Sequence, residues 1–488
     1  MPFKNYKNTS FYLTVSVLII ALFRLILTSV IPLLDKTESR YAEIARLMYE
    51  TKEWVVLQID YGVPFWAKPP LSTWLSALSF ETFGVSEMAV RFPSFLLAII
   101  LIILLGKMAK KEGVSFYLPA FILLTMPEFL IHTGVVSTDS ALSFSIALIM
   151  ISFWKAMQNE TKTFWKYLFF IGLGLGFLAK GPIILIVTVP PIFLWILLQK
   201  ISIKTVYTKL PWFIGIMLTA VISIPWYILA EQKSPGFLDY FIVGEHFNRF
   251  LVPGWKGDLY GSGHSQPLGM IWLFLLAFTF PWIQIVLYKL WKGRKTIFKD
   301  AYVTYLVFWL FWTPLFFTIS KNILHTYILP VTIPIALLMM YWWKNQEKKR
   351  TILWVSTIFP ALVMATFFFG FLTGKLDFYM NSDKYLMENQ AIDFNNKESL
   401  YYWKEKSYSG QFYSFGKAKT ILNTQALDTV LESENKSFLI VSNRRKKEIP
   451  KEYQLQLKPL DSNYKSTLYL LKTWETSVTT QMNNIKNK

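Results

Sequence analysis

The sequence of 488 residues contains no cysteine, which excludes disulfide bonds, thiolate metal sites and cysteine nucleophiles. Charged residues are also scarce, because Asp, Glu, Lys and Arg make up only 17% of the chain, whereas a soluble domain has about 25%. Hydrophobic residues make up 53%, and many lie in runs of roughly 20 residues, the length that crosses the hydrocarbon core of a bilayer. The composition therefore predicts a polytopic helical membrane protein.

Acidic residues are fewer than basic ones, and 31 Asp and Glu against 50 Lys and Arg leave a net charge of +19. Most of the Lys and Arg lie in short gaps between hydrophobic runs, a distribution that indicates membrane topology rather than a nucleic-acid groove. We therefore expect no nucleic-acid partner. The first run, near residues 10–33, is too long for a signal-peptide core and lacks a convincing cleavage site, so we expect it to be retained as a helix.

The hydrophobic runs predict a series of membrane-spanning helices. They lie near residues 10–33, 90–108, 114–132, 138–156, 164–179, 181–199, 211–230, 268–290, 301–319, 323–343 and 352–372. With the N-terminus in the cytoplasm, every strongly basic gap falls on the cytoplasmic side, as the positive-inside rule requires.

One apolar stretch is left out of this series. Residues 69–84 (PPLSTWLSALSFETFG) begin with two prolines and are short for a span, and counting them would invert every later loop. We interpret the stretch as a re-entrant or interfacial helix, which is tolerated at membrane depth when protein surrounds it. Because a second short helix elsewhere would restore the parity, we predict about 11 to 13 transmembrane helices in all.

The same topology places two long loops, residues 34–89 and 231–267, on the outer face. The composition changes after residue 373, where the chain becomes polar and rich in Lys, Asn, Ser and Glu. Two segments there, 437–443 and 466–472, have the composition of strands. We predict a transmembrane domain over residues 1–373 and a small extracytoplasmic α/β or α+β domain over residues 374–488.

Residues 35–50, in the first outer loop, combine an apolar stripe with several charges. The stripe at helical spacing predicts an amphipathic helix on the outer membrane surface, with the charged residues largely on the other face. The stripe is formed by Tyr41, Ile44, Ala45 and Met48, and the charged residues are Arg40, Glu43, Arg46 and Glu50. Asp35 and Glu38 lie at the start of this helix, where the helix dipole favours an anion. From this segment alone they are equally well helix caps or functional carboxylates.

Further ionisable side chains are predicted on the outer face. They are Lys68, Asp139, Lys180, Glu245, His246, Arg249, His264, Lys321 and His325, with Tyr327 beside them. Each taken singly is more often a snorkelling or capping residue, but ionisable groups at membrane depth usually serve a function. Cations with one or two carboxylates suit a lipid-linked phosphate, because the cations neutralise the phosphate and a carboxylate acts as general base. A divalent metal would stabilise the departing phosphate, with Glu245, His246 and His264 as its candidate ligands.

Several motifs then match a known family in their order along the chain. They are ESRYAEIARLM, KPPLSTWLSALSFETFGVSEMAVRFPS, STDSAL, LAKGP, GEHFNRF and HTYILP. The sequence resembles the integral-membrane glycosyltransferases that include protein O-mannosyltransferases and lipid A aminoarabinose transferases, over residues 10–345 and the general plan of the C-terminal domain. The resemblance implies the GT-C fold in the bacterial inner membrane, a polyprenyl-phosphate-linked sugar donor, and inverting transfer on the periplasmic side to lipid A, a glycolipid or a protein.

By position, the resemblance implies catalytic carboxylates and contacts to the donor phosphate. The implied catalytic residues are Asp35, Glu38 and Asp139, and the implied donor contacts are Arg40, Tyr41, Lys68, Lys180, Arg249 and Tyr327. The family usually has Asp-Glu before x-Arg-Tyr, whereas this chain has Thr37-Glu38 with an Asp at position 35. Either carboxylate is a candidate base, and Asp35 ranks slightly ahead because a shorter side chain is held more rigidly. Ala67 replaces a Glu that the family sometimes uses for metal binding, so the metal requirement stays open.

A transporter or flippase of a lipid-linked substrate is the alternative function. It would place ionisable residues or broken helices near the bilayer midplane, often within internal repeats. The sequence contains no convincing repeat, and its charges collect at one face. Arg24, inside the first predicted span, is an exception that neither function explains.

Overall fold

A computed structural model describes residues 3–159, 162–252, 255–261, 266–394, 398–432, 436–455 and 457–472. The chain forms two compact units. The first comprises Met1–Ser29 and Leu47–Met364, and the second comprises Val30–Arg46 and Ala365–Lys488.

Helices dominate the chain as far as residue 372. They are α1 (Phe3–Val30), α2 (Thr37–Thr51), α3 (Leu71–Phe83), α4 (Glu87–Lys111), α5 (Tyr117–Leu124), α6 (Pro127–His132), α7 (Thr138–Met157), α8 (Thr163–Lys180), α9 (Ile183–Leu198), α10 (Ile203–Lys209), α11 (Trp212–Lys233), α12 (Arg249–Leu251), α13 (Met270–Phe278), α14 (Trp282–Lys292), α15 (Ala301–Phe317), α16 (Thr332–Trp342) and α17 (Lys349–Leu372). Residues Asp239–Asn248 form a π-helix, and short 3₁₀ turns cover Ile297–Lys299, His325–Val331 and Trp343–Asn345. A small antiparallel hairpin joins β1 (Gln58–Asp60) to β2 (Val63–Pro64).

Among the described residues, six helices are long and apolar enough to cross a membrane. They are Thr9–Val30, Glu87–Lys111, Thr138–Met157, Trp212–Lys233, His325–Asn345 and Lys349–Leu372. A seventh span results if α13 and α14, which meet at an angle of 106°, count as one. The helices α9 and α15 are apolar but shorter. The chain is thus a multi-pass membrane protein, and the predicted helical fold class is confirmed.

Helix boundaries explain which predicted spans are interrupted. The predicted span 114–132 is divided between α5 and α6, and Pro127 begins the second helix, a position at which proline needs no backbone donor. The stretch 69–84, which we left out of the spans, forms α3 with 13 residues. At 1.5 Å per residue this helix is about 20 Å long, too short for a hydrocarbon core of about 30 Å.

Arg24 stabilises the junction between α1 and α6 in the first unit. Its Nε donates to the Leu130 carbonyl at 2.9 Å and its Nη2 to the Ile131 carbonyl at 2.8 Å. The carbonyl groups in the last turn of a helix have no partner within the helix, so Arg24 satisfies those of α6. A structural role therefore accounts for the charge that the sequence left unexplained.

The second unit contains a mixed sheet built from β3 (Ser399–Trp403), β4 (Lys419–Ile421), β5 (Ser437–Ser442), β6 (Lys458–Ser462) and β7 (Ser466–Lys472). The strand order is β4–β3–β5–β7–β6, with β4, β3 and β5 parallel and β7 antiparallel to both neighbours. Its helices are α18 (Leu376–Tyr379), α19 (Lys384–Glu388), α20 (Tyr408–Tyr413), α21 (Thr424–Glu432) and α22 (Lys451–Gln454). The predicted strands 437–443 and 466–472 correspond to β5 and β7.

The strand β5 lies in the middle of the sheet and is buried on both faces. Phe438 and Ile440 pack into one apolar cluster, and Leu439 and Val441 pack into another. Successive side chains of a strand point to opposite faces, so a continuous apolar run is typical of a strand covered on both sides.

One prediction about helix α2 is wrong. We expected its charged residues to lie away from the apolar stripe on an exposed face, but Glu43 and Arg46 are both only 1% exposed. Arg46 donates two hydrogen bonds of 2.8 Å to the Glu43 carboxylate. A bidentate pair neutralises both charges and satisfies their donors and acceptors, which permits burial. Arg40 is half-buried, whereas Glu50 is exposed as predicted.

Candidate active site

Asp139 and Lys180 form an ion pair between two helix ends of the first unit. Asp139 lies in the first turn of α7, where the Ser137 hydroxyl accepts a hydrogen bond from the Asp139 amide at 3.0 Å. Lys180 is the last residue of α8, and its Nζ lies 2.5 Å from Asp139 Oδ1. Both positions suit the helix dipole, which favours anions at the N-terminus and cations at the C-terminus. A predicted catalytic carboxylate and a predicted phosphate contact therefore lie together.

The position of Lys180 depends on its neighbours. Its Nζ lies 4.6 Å from the centroid of the Tyr327 ring, a distance at which an ammonium group is attracted by the ring face. The next residue, Gly181, has a φ of 76°, and a Cβ atom there would lie 2.6 Å from the Phe241 ring. Both the backbone conformation and the close contact favour glycine, which ends α8 directly after Lys180.

Lys68 and Arg249 converge on one buried carboxylate. Glu245 Oε2 accepts hydrogen bonds from Lys68 Nζ at 2.9 Å and from Arg249 Nη1 at 2.9 Å, and Oε1 accepts from Arg249 at 3.0 Å. The Tyr240 hydroxyl lies 3.3 Å from Oε1. Asp258 Oδ2 is 3.6 Å from Arg249 Nη2. Two cations predicted to bind the donor phosphate are thus brought together, and two carboxylates balance their charge.

The Glu245 side chain is only 3% exposed. Burial opposes its ionisation, but the charges of Lys68 and Arg249 outweigh this effect and hold the pKa of Glu245 at about 2. Burial lowers the pKa of the neighbouring His246, and the charge of Lys68 adds to this effect. The cluster therefore contains an ionised Glu245 beside a neutral His246 at neutral pH.

The predicted metal ligands do not form a metal site in the described part of the chain. Glu245 is occupied by two cations, and both ring nitrogens of His246 face backbone carbonyl oxygens, at 2.8 and 3.2 Å. His264 lies outside the described residues, and Ala67 has no ligand atom. No group of three His, Cys, Asp or Glu side chains within the described ranges is arranged to hold a metal ion. The described residues therefore do not form a metal site, and the use of a metal stays a prediction.

Asp35 lies in the second unit and is enclosed by hydrogen-bond donors. Ser409 donates to it from its hydroxyl at 2.6 Å and from its amide at 3.0 Å. The Ser39 hydroxyl donates to Oδ1 at 2.5 Å, and Lys465 Nζ lies 3.9 Å from Oδ2. The Asp35 side chain is only 2% exposed, so this carboxylate is buried among groups of its own chain.

The first turns of α2 contain Glu38, Arg40 and Tyr41. Glu38 Oε2 accepts a hydrogen bond of 3.2 Å from the Leu34 amide, and the residue is 6% exposed. The Arg40 guanidinium lies 5.5 Å from the centroid of the Tyr41 ring and 5.9 Å from that of Tyr408. The motif Glu-x-Arg-Tyr therefore forms one turn of helix stabilised by aromatic contacts.

The predicted site residues are divided between the units. The first unit contains Lys68, Asp139, Lys180, Glu245, His246, Arg249 and Tyr327, and the second contains Asp35, Glu38, Arg40 and Tyr41. Within the first unit, Lys180 joins Asp139 to Tyr327, whereas Glu245 joins Lys68 to Arg249.

A buried carboxylate escaped the sequence analysis. Glu128, in α6, is fully buried, with Oε2 2.9 Å from His325 Nδ1 and Oε1 3.0 Å from His132 Nδ1. His132 also lines a cavity of about 20 Å³ together with Thr133 and other polar side chains, enough room for a water molecule. The sequence indicates this pair only through its spacing: Glu128 and His132 lie four residues apart on an apolar helix, which brings their side chains to the same face.

Comparison with known proteins shows similarity to one family. Residues 9–241 match the family "Dolichyl-phosphate-mannose-protein mannosyltransferase". The chain is 30% identical over 378 residues to the "Undecaprenyl phosphate-alpha-4-amino-4-deoxy-L-arabinose arabinosyl transferase" of Wigglesworthia glossinidia brevipalpis, covering 74% of this chain and 64% of the relative. The protein of the same name from Serratia proteamaculans is 30% identical over 62% of this chain and 54% of its own length. The chain thus spans less than two thirds of the length of these curated relatives.

A solved structure has the same fold. The crystal structure of ArnT from Cupriavidus metallidurans bound to undecaprenyl phosphate superposes with a TM-score of 0.73, at 16% identity, over 94% of this chain and 98% of that one. This likeness agrees with the GT-C fold expected from the motifs. The sequence matches and the shared fold make the chain similar to the GT-C membrane glycosyltransferases of the mannosyltransferase and aminoarabinose transferase family.

Proposed function

We propose that the protein is an inverting glycosyltransferase that moves a sugar from a polyprenyl-phosphate carrier to an extracytoplasmic acceptor. The observation that carries the proposal is the convergence of Lys68 and Arg249 on the buried Glu245 carboxylate. Side chains that bind one carboxylate in this way also have the charge and donor geometry to bind a phosphate oxygen. The names of the relatives support undecaprenyl phosphate-4-amino-4-deoxy-L-arabinose as the first donor to test.

The chemistry follows from the inverting reaction. An acceptor oxygen attacks the anomeric carbon on the side opposite the phosphate, the bond from that carbon to the phosphate oxygen breaks, and polyprenyl phosphate leaves with the electron pair. Lys68, Lys180 and Arg249 would stabilise the departing phosphate. A carboxylate would accept the proton of an acceptor hydroxyl, with Asp35, Glu38 and Asp139 as candidates. Tyr327 would hold the donor beside Lys180, and Arg40 and Tyr41 remain predicted contacts of the donor.

The acceptor is a hydroxyl or phosphate group of lipid A, a glycolipid or a protein. A hydroxyl acceptor needs the general base, whereas a phosphate acceptor is already ionised and has no proton to lose at neutral pH. The active site and the C-terminal domain would lie outside the cytoplasm of a bacterium, with the N-terminus inside, as the distribution of basic loops predicts.

A transporter or flippase of a lipid-linked substrate is the second candidate. In the sequence, Arg24 within the first span was an exception to the charges that collect at one face. Because Arg24 donates to the carbonyl groups at the end of α6, this charge has a structural role and is not left for a translocated substrate. The enzyme function is therefore favoured.

Mass spectrometry of lipid A, glycolipids and surface proteins tests the proposal, with cells that contain or lack the gene. We expect one acceptor to lose the mass of a single sugar in cells without the gene, and a plasmid copy to restore it. Unchanged acceptors together with a redistribution of a lipid-linked sugar between the two membrane leaflets would support the flippase instead.

A further inference from the structure

Asp35 links the first loop to the C-terminal part of its own unit by side-chain and backbone contacts. Its carboxylate accepts two hydrogen bonds from Ser409, in the first turn of α20. Its backbone pairs with Asn381: the Asp35 amide donates to the Asn381 carbonyl at 2.7 Å, and the Asn381 side chain donates to the Asp35 carbonyl at 2.5 Å. The neighbouring Leu33 amide donates to the Tyr413 hydroxyl at 2.7 Å. These contacts join segments more than 340 residues apart in sequence.

A second buried carboxylate completes this cluster. Asp383 is 3% exposed and accepts a hydrogen bond from the Ser407 hydroxyl at 2.5 Å, while its amide donates to the Ser409 hydroxyl at 3.0 Å. Burial and the charge of Asp35 raise the pKa of Asp383. Ser409 thus contacts both the Asp35 carboxylate and the Asp383 amide, and Lys465, 3.9 Å from Asp35, supplies positive charge.

This environment suits a structural anchor better than a base. A carboxylate has about four acceptor positions, and Asp35 already uses three for Ser39 and Ser409. A base must reach the proton of a substrate hydroxyl within about 3 Å, but the Asp35 side chain is 2% exposed and surrounded by donors.

Asp35 and Glu38 contact the same turn of the chain. The Ser39 hydroxyl donates to Asp35, and the Ser39 amide donates to the Leu34 carbonyl at 3.2 Å. The Leu34 amide in turn donates to the Glu38 carboxylate. Any movement of Asp35 would therefore be transmitted to Glu38 through Leu34 and Ser39.

We propose that Asp35 is a positioning residue that anchors the first loop to Ser409 of α20, and that it is not the general base. The proposal rests on the glycosyltransferase function proposed above. It assigns to the C-terminal domain a part in setting the geometry of the Glu-x-Arg-Tyr turn.

Steady-state kinetics with purified full-length variants tests the assignment, using a polyprenyl-phosphate sugar and a hydroxyl acceptor. We expect Asp35→Asn and Ser409→Ala each to lower kcat about 3- to 30-fold with the KM for the donor within about twofold, since the anchor acts on the base and not on the donor. The double variant should be no more than about twofold worse than Asp35→Asn, because both changes break one contact. Ser414→Ala, a buried serine of the same region that does not contact Asp35, is the control and should resemble wild type.

The pH profile separates a base from an anchor. With Asp35→Asn, the fall of kcat/KM at low pH should remain, because an anchor takes no proton from the acceptor. The ionisable groups that face Asp35 are Asp383, Lys465, Tyr402 and Tyr408, so the Asp383→Asn profile is measured beside it. Loss of the low-pH limb in Asp35→Asn, with normal kinetics for Ser409→Ala, would overturn the proposal.

Hydrogen exchange provides a readout that does not depend on activity. We expect the amides of residues 33–40 to exchange at least about tenfold faster in Asp35→Asn and Ser409→Ala than in wild type or Ser414→Ala. Unchanged exchange in both variants would overturn the anchor. If exchange increases as expected but the wild type transfers no sugar from any donor, the proposed function fails while the anchor stands.

Discussion

Asp139 and Lys180 carry the sharpest prediction about single side chains. We expect Asp139→Asn and Lys180→Met each to lower kcat/KM at least about 100-fold, because each removes a charged group from the site proposed for phosphate departure. The loss of kcat/KM in the double variant should be far smaller than the product of the two single losses, since the partners are 2.5 Å apart. The measurement is a double-mutant cycle on kcat/KM. Lys233→Met is the matched control, because it breaks an ion pair to Glu53 in which the lysine side chain is 50% exposed. Additive losses for Asp139 and Lys180 would contradict a shared role.

Glu245 gives a prediction whose direction is unusual for a buried carboxylate. Glu245→Gln should tighten the binding of polyprenyl phosphate about tenfold, because Lys68 and Arg249 lose the anion that neutralises them and the phosphate takes its place. Isothermal titration in detergent measures the dissociation constant, and Glu81→Gln, a more exposed acidic residue paired with Lys52, is the control. Weaker binding by Glu245→Gln would show that the carboxylate only holds the two cations in position.

The pH dependence of this cluster follows from the pKa of Glu245, which lies at about 2 against an ordinary value of 4.5. A lowered pKa means that the stabilisation by Lys68 and Arg249 is complete above pH 4.5 and is lost as the pH falls towards 2. Between pH 5 and 8, phosphate affinity should therefore show no titration of Glu245.

The end of α8 tests how one helix boundary positions a functional group. Gly181→Ala places a Cβ atom 2.6 Å from Phe241 and also strains a φ of 76°. Gly62→Ala, in the β1–β2 turn, has a similar φ of 72° and nothing within 4 Å, so it isolates the backbone strain. We expect Gly181→Ala to lower the melting temperature more than Gly62→Ala, and to lower kcat because Lys180 moves with the end of α8. Thermal unfolding and initial rates measure both effects. Equal changes in the two variants would show that the contact with Phe241 is unimportant.

The elements also show what the sequence could and could not predict. Hydrophobic runs predicted the helices because a bilayer requires long apolar segments, and the composition of residues 437–443 predicted the strand β5. The helical periodicity wrongly predicted that Glu43 and Arg46 are exposed. Two charges that neutralise each other can be buried among apolar residues without altering the sequence pattern. The periodicity also gave no reason to connect Asp35 to Ser409, since these residues are 374 positions apart in sequence and meet only in the tertiary structure.

Arg24 and Glu128 illustrate the same limit for the functional assignment. Both are ionisable residues in apolar helices, a pattern that suggests function. Arg24 is occupied by two helix carbonyl groups, whereas Glu128 faces two histidines. Only the partners distinguish a structural charge from a candidate functional one, and a single sequence does not show the partners.

The topology of the whole chain is open to a direct labelling test. The natural sequence has no cysteine, so each single-cysteine variant carries one reactive site. Leu455, which is 90% exposed, reports on the C-terminal domain, and the exposed Lys204 in α10 reports on a loop predicted to be cytoplasmic. We expect a membrane-impermeant maleimide to label Leu455→Cys in intact cells and Lys204→Cys only after permeabilisation. The reverse pattern would contradict the predicted orientation of the protein.

Sugar transfer by the purified protein tests the central claim most directly. The full chain in lipid vesicles would receive undecaprenyl phosphate-4-amino-4-deoxy-L-arabinose and lipid A, followed by other pentosyl and hexosyl donors and hydroxyl acceptors. Mass spectrometry would measure the released polyprenyl phosphate and the glycosylated acceptor, with and without a metal chelator. We predict equal amounts of both products from wild type and at least about 100-fold less from Asp139→Asn. A folded wild-type protein that releases no polyprenyl phosphate from any donor would contradict the account.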